Sequence, residues 1–170
     1  MKTDREVAHG RSAHAMLSFL NGRRVKEMSM LAPPVHFGME TPRTKEQIEE
    51  SIKLLLSVPM GEMLYAGGTP ESHVVLDRPE VQKALSHAAR LGPGDKIDHL
   101  ERLYGELHDT LTSPKIWAGV CALATALLRH RSMGGERVAQ VVKGSLMSGA
   151  PKGQVHPAMR RITVVDEPRL

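Results

Sequence analysis

Two histidines, His9 and His14, stand within residues 4–22, a stretch with the pattern of a single helix. Paired imidazoles on a helix bind metal when they are spaced i, i+4, as in His-Glu-x-x-His, where the glutamate between them is a general base. Here the histidines are five positions apart. That spacing sets them ~140° apart around a regular helix, and only a π-bulge would bring both onto one face. Counting back four from His14 reaches Gly10, and the next position, where the base belongs, holds Arg11. Gly10-Arg11-Ser12-Ala13-His14 thus keeps the frame of a peptidase helix without its first ligand or its base.

The elements that position these residues are legible from capping and periodicity. Thr3 and Glu6 have capping-box spacing, and Asn21-Gly22 supplies a stop, so a helix is predicted over 4–22. Val25, Met28, Met30 and Leu31 suggest a short strand with one buried face, closed by Pro33-Pro34, and Val35-His36-Phe37 a second. Thr44 and Gln47 repeat the capping-box pattern before a helix striped by Ile48, Ile52, Leu55 and Leu56. Pro59 is expected to kink or break it, leaving a second piece from Met60 to Ala66. A helix with proline in its first turn is expected from Asp77 to about Leu91, and another over 95–112. The stretch Lys115 to about Arg129 is apolar nearly all round and reads as the central buried helix. A shorter helix runs from Glu136 to about Met147, and in the tail Ile162 to Val165 hints at a strand.

A chain of 170 residues with 41% hydrophobic content is long enough for one domain with a real core. The domain is expected over 1–149, followed by a basic Pro/Gly-containing tail over 150–170. Aromatics are only 3% while there are 10 methionines, so the core is expected to be aliphatic and Met-filled. The net charge of +4 comes from interspersed charges of both signs, which argues against a nucleic-acid partner. One cysteine, Cys121, permits no internal disulfide and suits a reducing cytoplasm. No run of 18 apolar residues exists, so no membrane span is expected.

The order of the pieces resembles the peptidase domain of the FtsH family of ATP-dependent zinc peptidases, over about Arg5 to Val142. Gly10 to Ala15 occupies the place of the family's His-Glu-Ala-Gly-His-Ala helix. Val25 to Leu31, Pro33 and Gly38 are similar to its Val-x-Lys-Val-Ser-Ile-x-Pro strand, and Glu62 to Gly67 to the end of its Gly-Arg-Ala-Ala-Glu-x-Leu-x-x-Gly segment. Ala84 to Ala88 resembles its Ala-Thr-x-x-Ala element, which implies Glu80 at the acidic zinc-ligand position, with Asp77 as a nearby substitute. Val120 to Leu128 and Met133 to Val138 look like its apolar helix and Leu-x-Gly-Glu-Glu segment. The resemblance implies a mostly helical α+β fold with a small β element near residues 24–38. No Gly-x-x-x-x-Gly-Lys-[Ser/Thr] motor motif is present.

These residues point to a catalytically degenerate peptidase-like domain that acts by protein binding or assembly. No catalytic residue is expected, with Gly10, Arg11 and His14 as the degenerate positions. No cofactor is expected either. If zinc were retained, His14 and Glu80 would hold it, with His9 and Asp77 as alternatives, but two ligands fall short of the three that catalytic zinc uses. The partners implied are an AAA ATPase or a protease, or further copies of the chain in a homo-oligomer. Two other readings compete. One is an active zinc metalloendopeptidase rebuilt around His9, His14 and Glu80 or Asp77, with Glu6 as a remote base. The other is an unrelated helical interaction protein with a basic surface at Arg23-Arg24, Arg129 to Arg131 or Arg160-Arg161. His9 reads as a surface histidine, His14 as a buried, hydrogen-bonded relic and Glu62 as structural; the remaining histidines, including His36, read mostly as surface residues.

Overall fold

The computed structural model describes residues 2–37, 41–68 and 78–148. Gly38, Asp77, the loop from Thr69, and the tail with its strand hint at 162–165 lie outside the described residues. The fold is mostly helical, with six helices and one small sheet among the described residues.

The first helix, α1 (Asp4–Leu20), starts at the expected capping box. The Thr3 side chain accepts from the Glu6 amide, and the Glu6 carboxylate accepts from the Thr3 amide at 2.6 Å. It ends at Asn21, and Gly22 takes a left-handed conformation (φ +69°). The chain then forms β1 (Val25–Ser29) and β2 (Val35–His36). β1 stops before Leu31 because the Ser29 hydroxyl accepts the amides of Leu31 and Ala32 and turns the chain.

The second helix, α2 (Lys45–Tyr65), opens at the capping box of Thr44 and Gln47. It runs unbroken through Pro59, so the break expected there does not occur. Proline removes one amide and crowds the preceding turn. In that turn the Leu54 carbonyl accepts the Ser57 hydroxyl at 2.6 Å and His14 Nδ1–H at 2.9 Å, and Pro59 itself is buried. The carbonyl left without its amide is that of Leu55, so these bonds do not replace it, and burial of the proline is what holds the helix across the site.

Three helices follow: α3 (Pro79–Ala88), α4 (Lys96–Thr112, capped by Asp95) and α5 (Pro114–His130). Arg131 caps α5 with φ +63°, its amide bonding to the Leu127 carbonyl, and the chain enters β3 (Ser132–Gly134) at once. The sequence pattern predicts no strand here. β3 pairs antiparallel with β1, as β2 does on the other edge, giving the order β2-β1-β3. The last described element, α6 (Gly135–Met147), packs on α5 and on β1.

The core is aliphatic and methionine-filled: Met16, Met28 and Met60 are fully buried beside Ile52, Leu64, Leu103 and Leu127. Its centre is the α1–α2 pair rather than α5. α5 buries Trp117, Val120, Leu123 and Leu127 along one stripe, while Ile116, Cys121, Ala126 and Leu128 are only partly covered. No single helix among the described residues is long and apolar enough to cross a membrane.

Candidate functional site

Gly10 and Gly61 set the geometry where α1 crosses α2. A Cβ on Gly10 would stand 2.7 Å from both Glu62 Cγ and the Val58 carbonyl oxygen. One on Gly61 would stand 2.6 Å from Ala13 Cβ and 2.8 Å from the His9 carbonyl oxygen. The two backbones meet directly, and glycine on each helix permits it. The face of α1 that would present a first metal ligand is therefore packed against α2.

His14, one turn on, faces the same helix. Its Nδ1–H donates to the Leu54 carbonyl at 2.9 Å, which leaves Nε2 as an acceptor. His36 Nε2 lies 2.9 Å from that nitrogen and donates to it. Burial, and next the neighbouring His36, push the His14 pKa down to about 4. Burial also lowers that of His36, with Arg23 adding to the effect. His14 is therefore hydrogen-bonded as expected, though half-buried rather than fully buried, and its partner on β2 was missed. No spacing rule links His14 to His36; the link exists only once β1 and β2 fold back beside α1.

His9 departs from the surface position expected for it. It is 8% exposed, stacked on Tyr65 at 4.1 Å between ring centroids, with Trp117 at 5.9 Å. Its Nδ1 donates to the Arg5 carbonyl at 2.7 Å, a bond within its own helix. α1 is a regular α-helix throughout, with no π-bulge, so His9 turns toward α5 and the end of α2 while His14 turns toward mid-α2 and β2. The two do not converge.

The remaining positions form an ionic cluster where the chain start, α2 and α3 meet. Glu62, buried, takes Lys2 Nζ at 2.7 Å and Arg78 Nη1 at 2.8 Å on one oxygen. Arg78 Nε stands 3.5 Å from Glu80 Oε2, an oxygen closed to solvent that has no hydrogen bond. Arg11 lies within electrostatic reach of Glu62 and Glu80. Burial lowers its pKa, the two carboxylates oppose that, and its Nε and Nη1 are closed to solvent without an acceptor. Glu80 is thus engaged with arginines rather than with His14.

The residues that the resemblance points to as zinc ligands, Gly10, His14 and Glu80, do not fit a zinc ion. The first has no side chain and no room for one, the second is bonded to Leu54 and His36, and the third is paired with Arg78. Among the described residues no group of three or more His, Cys, Asp or Glu side chains is placed to hold a metal. Arg11, at the base position, is a donor with no acceptor capacity and cannot take a proton from water. Cys121 is half-buried and its thiol pKa is pushed up to about 11 by burial, which removes it as a nucleophile near neutral pH.

No protein-family model and no curated protein matches the chain.

Proposed function

We propose that this chain is a catalytically degenerate relative of the FtsH-type zinc peptidase domain that acts by protein binding or assembly. One observation carries the reading: the Gly10/His14 face of α1 is a helix-packing surface, with Gly10 against Glu62 and Val58 and His14 bonded to Leu54. Hydrolysis at such a site needs a metal-bound water, a base and an open coordination position. Arg11 stands where the base belongs, and its buried guanidinium disfavours a second cation beside it. What remains is a rigid helical scaffold whose partners are an AAA ATPase, a protease or further copies of itself.

The test is zinc content by elemental analysis of protein purified without a histidine tag, run beside a casein-cleavage assay with added zinc. Near-zero bound zinc and intact casein are expected. Stoichiometric zinc that is lost in His14→Ala, together with cleavage, would overturn the reading.

A further inference from the structure

A surface groove of about 600 Å³ lies between the end of α1, the start of β1 and the first turns of α6. Its walls are apolar where Phe19, Val25 and Val138 line it, and Phe37, just after β2, is 56% exposed at its edge. Its rim is cationic. Arg23, Arg24 and Lys26 come from the α1–β1 connection and β1, and Lys143 from α6. Arg23 is paired with Glu50 at 3.4 Å. Arg24, Lys26 and Lys143 form no ion pair among the described residues. Arg24 and Lys26 instead lie 5.7 and 5.9 Å from the centroid of the Phe37 ring. Among the described residues the one carboxylate lining the groove is Glu136, in the first turn of α6.

We propose that this groove binds an acidic peptide segment of a partner protein, with an apolar side chain of the segment against Phe37 and flanking carboxylates on Arg24, Lys26 and Lys143. This rests on the reading of the chain as a protein-binding domain and names its partner's chemistry. Three unpaired cations around an apolar floor complement a segment in which Asp or Glu flanks Leu or Phe. The amino end of α6, which has no side-chain cap, adds a weak preference for negative charge. A small anion would call for fixed, convergent donors, whereas these cations sit on long, exposed stems. A single strand of nucleic acid would call for successive exposed stacking rings, whereas among the described residues the groove has Phe19 in its wall and Phe37 at its open edge.

The test uses a fluorescein-labelled peptide with a Leu-Phe pair inside a run of Asp and Glu, followed by anisotropy at low ionic strength, with the peptide's mass recorded afterwards. Saturable binding is expected, weakened roughly tenfold or more by Lys26→Glu/Lys143→Glu and several-fold by Phe37→Ala. Lys26, Lys143 and Phe37 are exposed, so thermal melting of both variants is expected to match the parent. No saturable binding, or equal affinity in the variants, overturns the groove assignment and leaves the non-catalytic reading standing. Tighter binding of an oligonucleotide of equal charge, lost in the same variants, overturns the choice of a peptide. A peptide recovered in pieces overturns the non-catalytic reading itself.

Discussion

A neutral imidazole at position 14 ties α1 to α2 and β2 through Leu54 and His36. Burial disfavours the charged ring, and protonation would also set an N–H against the N–H that His36 donates, so the folded state resists it and the pKa falls from 6.5 to about 4. The unfolded chain protonates first as pH drops. Stability from this group is therefore fully present above about pH 6.5 and declines down to about pH 4, by roughly 2–3 kcal/mol in total. Melting temperatures across pH 4–8 are expected to show this decline, and His14→Gln, which keeps a donor for Leu54, is expected to flatten it. At Gly10 even a methyl group meets Val58 and Glu62. Gly10→Ala is expected to cost about 1–3 kcal/mol in urea unfolding, since an overpacked helix crossing must open or shift. That Gly10 and Arg11 stand where His-Glu-x-x-His would hold a ligand and a base could be read from the sequence, because it is a matter of residue identity. The burial of His9 could not, because it depends on Tyr65 and Trp117, distant in the chain and brought together only by the fold.

Among the elements, the ends of α1 and α2 were legible because a capping box is a local device, closed within four residues. Thr44→Ala is expected to lower stability by about 1 kcal/mol, measured by thermal or urea unfolding. Pro59 misled because its local cost is met by tertiary packing, the proline being buried within α2. β3 was hidden because three residues of Ser-Met-Gly have no strand pattern until β1 offers its edge. Glu62 joins the chain start, α2 and α3 through Lys2 and Arg78. Glu62→Gln leaves Arg78 and the half-buried Arg11 short of negative charge, and a loss of roughly 2–4 kcal/mol is expected by the same unfolding assay.

For the whole molecule, capping and periodicity were enough for a mostly helical fold, and composition for a core of aliphatics and methionines, because ten methionines stand beside few aromatics. It was not enough for the arrangement. Periodicity marks α5 as strongly apolar, yet the chain centres on α1 against α2, where two glycines let backbones touch. That crossing bears on function, since it takes the face of α1 that a peptidase would turn to its metal. The most direct measurement is zinc stoichiometry and casein cleavage of Gly10→His/Arg11→Glu, which restores His-Glu-x-x-His in sequence. A face committed to packing predicts a protein that is less stable than its parent, binds no zinc and leaves casein intact. Stoichiometric zinc with casein cleavage in that variant would contradict it, and would mean that the histidine face of α1 opens to a working metal site.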